Sequence, residues 1–193
     1  MEKTTNGIVI GLVIDLKDEE NIGRVKVKYP HLEDQPSDWA RLAVPMAGSK
    51  RGTFFRPEVG DEVLVAFEHG EPRRPYIIGA LWSKVDTPPP DISNNVKNYL
   101  RGIVSLSGHT ILLDDTPGKE KIVFVDKDNL RKVIIDSANS KIEVICDQGN
   151  VEVKASAGDV KVEAINVSIK ASAELKLEAT GNVTIKGALV NIN

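Results

Sequence analysis

A few residues have side chains that could act as metal ligands or nucleophiles: His31, His69, His109 and Cys146. Metal sites need several such ligands at short, defined spacings, and none of the three histidines has another histidine or a cysteine at such a spacing. A lone cysteine has no partner within the chain for a disulfide, so we interpret it as a small residue of a strand. We therefore expect no metal and no cofactor, and a structural hydrogen-bonding role for His109.

Asp114 and Asp115 could suggest a pair of catalytic carboxylates. Adjacent residues of a strand point to opposite faces, however, and the Thr-Pro-Gly that follows is typical of a turn. The sequence also contains no nucleophile elbow, phosphate-binding loop or Cys-x-x-Cys motif. We predict that the protein is not an enzyme, with a cell-wall hydrolase carried on a β-solenoid as the alternative of this class.

Phe54 and Phe55, close to Lys50 and Arg51, could form a stacking platform for single-stranded nucleic acid. The surrounding residues contain nearly equal numbers of acidic and basic side chains, and the net charge of the chain is −3. That balance does not favour an electrostatic groove for phosphates. We expect no nucleic acid partner and keep an OB-fold nucleic-acid-binding module as a second alternative.

The 193 residues are 41% hydrophobic and 27% charged, which is typical of folded protein. No basic-then-apolar leader and no run of 18 apolar residues is present. We therefore expect assembly in the cytoplasm without a signal peptide.

The element around which the chain is organised is a repeat in the run 141–193, where apolar pairs recur every seven to nine residues. The two members of each pair are two residues apart, the period of a strand with one buried face. Polar, small or charged residues separate the pairs and permit a bend. Five of the pairs are the predicted trimer core: Val151/Val153, Val160/Val162, Val167/Ile169, Leu175/Leu177 and Val183/Ile185.

A single copy of this ribbon cannot bury its apolar side and leaves open strand edges. A single-chain β-solenoid needs about 18 residues or more per coil to close three faces, whereas one octad supplies one face. The other alternative is an ordinary antiparallel sandwich with short strands. We favour an intertwined homotrimer, in which three chains supply the three faces of each layer.

The N-terminal part is also predicted to be β, which makes the fold class all-β. The alternation of residues such as Val25 and Val27 predicts five short strands, at Ile8–Ile14, Gly23–Tyr29, Trp39–Val44, Asp61–Glu68 and Arg74–Leu81. Five strands in about 85 residues favour a Greek-key barrel of the OB type, with a short sandwich as the alternative.

Three consecutive prolines, Pro88 to Pro90, predict an extended connector after this barrel. We therefore expect an OB-fold barrel domain at 1–85, a Pro-rich linker at 86–100 and a trimeric triple-stranded β-helix at 101–193. The first part of that last region is transitional, with further strands predicted at 102–106, 109–114, 121–126 and 132–136.

Several stretches together resemble the central spike of contractile injection systems, the family of phage baseplate assembly protein V, the T-even-type tail spike and the VgrG spikes. The barrel matches are Gly23-Arg24-Val25-Lys26-Val27, Trp39-Ala40-Arg41, Pro57–Val63 and Arg74–Leu81. Ser107–Asp115 with Glu120-Lys121-Ile122 is similar to the entry into the β-helix, and Gly181–Asn193 to its blunt end.

The resemblance implies a structural, membrane-piercing spike of a contractile tail or tail-like particle. It implies a homotrimer, a separate hub protein at the OB-fold end and the target cell envelope as the surface that is pierced. No histidine follows His109, so the pointed apex that binds iron in some phage spikes is not expected. A blunt end implies a PAAR-like tip protein, which would contact Val190, Asn191, Ile192 and Asn193.

Overall fold

The computed structural model of the chain describes residues 7–32, 34–93 and 96–192. It divides into two compact units, Met1–Gln148 and Gly149–Asn193, which are described separately below. Asn193, one of the predicted tip residues, lies outside the described part.

The first half of the larger unit is a closed β-barrel. Its strands are β1 (Ile8–Asp15), β2 (Lys26–Tyr29), β3 (Gln35–Pro36), β4 (Arg41–Leu42), β7 (Glu62–Phe67) and β8 (Pro75–Ala80), and β5 (Ala47–Gly48) and β6 (Arg51–Gly52) form a separate small hairpin. The sheet has the order β3-β2-β1-β7-β8-β4. An antiparallel bridge between Val25, which directly precedes β2, and Ala40, which directly precedes β4, closes the ring.

The strand directions around the ring are those of an OB-type barrel. β4 and β8 run parallel, whereas the other neighbouring pairs are antiparallel. The prediction of a Greek-key barrel of this type is confirmed, and the sandwich alternative is wrong because the sheet closes on itself.

The barrel closes because alternate residues of each strand point inward. Eight hydrophobic residues are buried: Val13, Val25, Val27, Tyr29, Ala40, Val63, Val65 and Ile77. The interior narrows at Gly11 of β1, where an added Cβ would lie 3.1 Å from Val27 and 3.1 Å from Val65. A glycine there lets β1 bend closely over the core.

One predicted strand is shorter than expected. Pairing within Trp39–Val44 is limited to β4, the preceding Val25–Ala40 bridge and a hydrogen bond of 2.8 Å from the Ala43 N–H to the Ile77 carbonyl. The strand therefore turns from one neighbour to the other within a few residues, as it must where the ring closes.

A second sheet follows the four-residue helix α1 (Pro90–Ser93) and belongs to the same compact unit. Its strands are β9 (Leu100–Val104), β10 (Thr110–Asp114), β11 (Lys121–Val125), β12 (Arg131–Asp136) and β13 (Lys141–Cys146). They pair in chain order as an antiparallel meander.

The predicted strands of this region are present, within about two residues of their expected bounds. Their pairing differs from an intertwined β-helix beginning at residue 101, because the sheet is built within one chain. The physical reason lies in the four hairpin loops, each of which has a residue with positive φ: Gly108, Gly118, Asn129 and Ser140. Such residues reverse the chain tightly and bring consecutive strands side by side.

The smaller unit has a different character. Residues 149–192, all of them described, include no hydrogen-bonded strand, and every residue in this stretch is exposed. The self-contained antiparallel sheet that was the alternative for this run is therefore absent from these residues.

Candidate functional site

The histidines have structural environments. The His31 ring packs 6.0 Å from the Tyr29 ring, measured between centroids, and His69 lies in a turn with φ 52°. The Nδ1 atom of His109 accepts a hydrogen bond of 3.2 Å from the Lys127 N–H, which links two hairpin loops. Within the described ranges, no three His, Cys, Asp or Glu residues are grouped closely enough to hold a metal ion.

Asp114 and Asp115 serve the hairpin that joins β10 to β11. Asp114 Oδ1 accepts a hydrogen bond of 2.9 Å from the Thr116 N–H, and Asp115 forms an ion pair of 2.6 Å with Arg101. Desolvation acts to raise the pKa of Asp114, but the hydrogen bonds from Thr116 and the charge of Lys121 outweigh it, so that its pKa is lowered. The two carboxylates thus have separate partners and do not form a catalytic pair.

Phe54 and Phe55 are 74% and 65% exposed. The Phe54 ring lies against Gly23, at 3.0 Å from the position of an added Cβ. Phe55 lines an apolar groove with Trp82, Ile92 and Ile103, between the barrel and β9 of the second sheet. The groove has no lysine in its lining and one arginine, Arg56, so it offers little to a phosphate backbone.

Arg56 and Arg24 instead tie two loops of the barrel together. Arg56 donates hydrogen bonds of 2.5 Å from Nη2 to the carbonyls of Leu16 and Arg24. Arg24 donates from Nη2 to Asp18 Oδ1 at 2.7 Å, and its guanidinium lies 5.9 Å from the Trp39 ring centroid. The sequence matches at 23–27 and 39–41 therefore include Arg24 and Trp39 of one interaction cluster, which we call the Asp18 cluster and which consists of Asp18, Arg24, Trp39 and Arg56.

Asp18 lies at the centre of the Asp18 cluster and is 7% exposed. The side-chain hydrogen bonds from Arg24 lower the pKa of Asp18 to about 2, against desolvation, and backbone N–H groups of Arg24, Ile22 and Glu20 act in the same direction. The carboxylate is held in its charged form across the ordinary pH range.

One face of the second sheet has two rows of apolar side chains. One row crosses all five strands and consists of Ile103, Ile111, Phe124, Val133 and Val144. The other crosses four strands and consists of Leu113, Ile122, Ile135 and Ile142, since Arg101 occupies its position on β9. Exposures range up to 73% for Ile142. Ile103 lines the groove against the barrel, whereas Ile111, Phe124 and Ile142 are 41%, 43% and 73% exposed. A sheet of this size with an apolar face needs a covering layer.

The sequence analysis missed this apolar face. Its signal was the runs of consecutive Ile, Leu, Val or Phe within β10 to β12, at residues 111–113, 122–125 and 133–135. Such runs are typical of strands, but which of their side chains share a face with those of the next strand depends on the register that the hairpin loops set.

The opposite face of the sheet has a row of alternating charge. The register places Asp114 beside Lys121, Lys121 beside Asp136, and Asp136 beside Lys141. Hydrogen bonds from Asn139 lower the pKa of Asp136, and desolvation opposes them, with Lys121 and Lys141 adding to the lowering. Opposite charges at directly facing positions stabilise a strand pair.

The single chain does not bury any of the ten residues predicted as the trimer core. All are more than half exposed, from 55% to 77%: Val151, Val153, Val160, Val162, Val167, Ile169, Leu175, Leu177, Val183 and Ile185. In every pair the first member is less exposed than the second, so that Leu177 and Ile185 are more open to solvent than Leu175 and Val183. The physical reason is that an extended chain without paired strands has nothing to cover its apolar side. A core formed by these residues within one copy is therefore absent, and their burial between copies stays a prediction.

The predicted tip residues are exposed as well. Val190 is 49% and Ile192 is 89% exposed, and Asn191 is also exposed. The extended chain does not bring these side chains together, so their contact with a tip protein stays a prediction.

In the described part of the chain, no helix is long and apolar enough to cross a membrane.

Residues 9–82 match the family model of the type VI secretion system/phage-baseplate injector OB domain. The chain is 37% identical to the type VI secretion system spike protein VgrG3 of Vibrio cholerae over 93 residues, which are 44% of this chain and 9% of that relative. It is 32% identical to the actin cross-linking toxin VgrG1 of Vibrio cholerae over 134 residues, 61% of this chain and 12% of the relative.

A third relative is the type VI secretion system spike protein VgrG1a of Pseudomonas aeruginosa, 26% identical over 146 residues, 68% of this chain and 23% of the relative. The chain thus spans less than a quarter of the length of these curated relatives. The family match at 9–82 covers nearly all of the closed barrel and the whole Asp18 cluster. Residues 9–82 are thus similar to the injector OB domain of type VI secretion systems and phage baseplates, and over the matched residues the chain is VgrG-like, similar to the spike proteins of contractile injection systems.

Proposed function

We propose that the protein is the homotrimeric central spike of a contractile tail or tail-like injection system. The observation that supports this most is the contrast between a complete barrel similar to the injector OB domain and an apolar tail, residues 149–192, that one chain leaves unburied. A spike is a structural part, and its function would be mechanical.

Burial energy favours self-association of the tail. The five core pairs and a sixth pair, Val190/Ile192, contain Val, Ile and Leu side chains, each of which gains about 1.5–3 kcal/mol when fully buried. In the single chain all twelve side chains are exposed, so this gain requires partner chains. The partners are copies of the same chain, because the ribbon is matched to itself in length and spacing.

Three copies suit the octad spacing. One octad provides one strand and one bend, which is one side of a triangular cross-section, so three chains complete each layer. Layers stacked at about 4.8 Å make six octads a rod section of about 30 Å. The apolar face of the second sheet would be covered in the same assembly by the equivalent faces of the other two copies.

The proposed role explains how the rod transmits force. Continuous backbone pairing around a packed interior resists bending, and the tail has no long loops at which a rod could buckle. The barrels would contact a separate hub protein. The other end, at Val190–Ile192, would contact a PAAR-like tip protein and be driven through the envelope of a target cell. The particle would be a virion tail or an extracellular or secretion apparatus, built from chains that assemble in the cytoplasm.

Light scattering on the purified full chain at about 10 μM tests the assembly, and negative-stain imaging tests its shape. The proposal expects the mass of three copies and a globular head with a thin shaft. A monomer at this concentration, or particles without a shaft, would overturn it.

A further inference from the structure

A regular row of charges accompanies the apolar pairs of the tail. The residue that directly follows the second member of each pair alternates in sign along the chain: Lys154, Glu163, Lys170, Glu178 and Lys186. The residues that precede these five pairs alternate between asparagine and an acidic residue, so they offer no opposite charges to one another: Asn150, Asp159, Asn166, Glu174 and Asn182. All five residues of the alternating row are exposed in the single chain.

The second sheet of the same protein shows what an alternating row does. There, Asp114, Lys121 and Asp136 face one another across paired strands, and Lys141 extends the row. The alternation of sign thus matches the register of neighbouring strands, so that each charge has an opposite charge directly beside it.

In a threefold assembly of the tail, the neighbour of a strand comes from another copy. If each chain turns by one face per octad while it rises, an octad of one copy lies directly below the next octad of another copy. All strands on a face then run in the same direction. Lys154 of one copy lies beside Glu163 of the next, and Glu163 beside Lys170 of the third.

We propose that the alternating row is a ladder of ion pairs between copies that fixes the stagger of the three chains at one octad. The inference rests on the proposed function, because it needs the trimer. It assigns to Lys154, Glu163, Lys170, Glu178 and Lys186 the role of selecting register, with a second copy of this chain as the partner.

The apolar pairs cannot select that register by themselves. Every pair consists of Val, Ile or Leu, so a slip by one octad would still bury similar side chains. Such a slip would place Lys beside Lys and Glu beside Glu along the whole row. Like charges at facing positions destabilise strand pairs, so repulsion in the slipped states adds to attraction in the correct one.

The test is the melting temperature of the full-chain trimer carrying Glu163→Lys. Each copy then loses two attractive contacts and gains two repulsive ones, and we expect a fall in Tm of about 5 °C in low salt. In about 1 M NaCl the Debye length is about 3 Å, so most of the difference should disappear.

Glu174→Lys is the matched control. It makes the same change in net charge in the same tail, but its neighbours in adjacent layers are Asn166 and Asn182, so we expect a Tm within about 1 °C of wild type. Equal effects of Glu163→Lys and Glu174→Lys would overturn the ladder while leaving the trimer intact.

A second variant covers the case in which Glu163→Lys does not assemble. Reversing all five charges, with K154E, E163K, K170E, E178K and K186E, restores every pair with opposite polarity. We expect this variant to be a trimer with a Tm close to wild type. If it fails to assemble, or melts as low as Glu163→Lys, the ladder is wrong. If the wild type itself is a monomer, the proposed function has failed, which is a distinct outcome.

Discussion

The barrel and the tail use the same kinds of side chain in opposite ways. In the barrel, Val63 and Val65 are spaced by two and completely buried. In the tail, Val151 and Val153 have the same spacing and are 60% and 77% exposed. The comparison shows that the two-residue period determines which side of a strand is apolar. Whether one chain can bury that side alone depends on whether its strands pair into a closed sheet.

Closure of the barrel depends on features that the tail lacks. The Val25–Ala40 bridge closes the ring between β2 and β4, and Gly11 lets β1 approach Val27 and Val65. Residues 149–192 contain no strand paired within the chain. The second sheet is intermediate, because its hairpins pair its strands and yet leave its apolar face open.

The largest expected effect is on the assembly of the tail and leaves the barrel unchanged. Val167→Lys or Leu175→Asp should abolish trimerisation, because three like charges would meet near one axis in an environment of low dielectric. The barrel should be unaffected, since its core is buried within one copy. Light scattering measures assembly, and tryptophan fluorescence from Trp39 and Trp82 measures the barrel.

Ser168→Asp is the control for Leu175→Asp, since residue 168 alternates with Val167 and Ile169 and should face water, where Lys161 and Lys176 of adjacent layers tolerate an acidic neighbour. It should assemble normally. Trimers of Val167→Lys with an unchanged melting temperature would show that the assigned inner and outer faces of the tail are wrong.

The sequence predicted the barrel strands well, because the alternation that identifies each of them lies within the strand itself. Alternation at Val25 and Val27, or at Val63 and Val65, was enough to place the barrel strands. Two-residue strands such as β3, β5 and β6 were missed, because two residues cannot show a period.

Pairing between strands was harder to predict. Nothing in the periodicity of residues 110–146 distinguishes a meander within one chain from strands shared among three. The distinction comes from loop residues, such as Asn129 with φ 60° and Asp126, whose Oδ1 accepts hydrogen bonds from the N–H groups of Leu130 and Arg131. The apolar face that results from this pairing could therefore not be listed from sequence, although the tail pairs could.

A medium effect is expected from filling the narrow point of the barrel. Gly11→Val should destabilise the barrel by about 1–3 kcal/mol, because the added methyl groups would meet Val27 and Val65 in a packed interior. Thermal or urea unfolding followed by tryptophan fluorescence measures the change, and assembly of the tail should persist.

Gly79→Ala is the matched control in β8, since an added Cβ there meets nothing within 4 Å. It should leave stability unchanged or slightly higher, through reduced freedom of the unfolded chain. Equal losses of stability from Gly11→Val and Gly79→Ala would mean that the close approach of β1 to Val27 and Val65 does not determine the stability of the barrel.

The smallest effect concerns acid, and it should again be confined to the barrel. The pKa of Asp18 is about 2 in the folded protein and 3.8 as the ordinary value, so the folded state prefers the charged form. A lowered pKa contributes stability above about pH 4, and this contribution is lost as the pH falls from about 4 towards 2.

Asp18→Asn, which keeps a side-chain acceptor but removes the charge paired with Arg24, should lower the melting temperature of the barrel by a few degrees at neutral pH. The difference between wild type and variant should narrow below pH 4 and become small near pH 2, where about half of the folded wild-type carboxyls are neutral. Melting curves of both proteins between pH 2 and 7 measure it, and a difference that stays constant over that range would show that the Asp18–Arg24 pair is not the acid-sensitive part of the barrel.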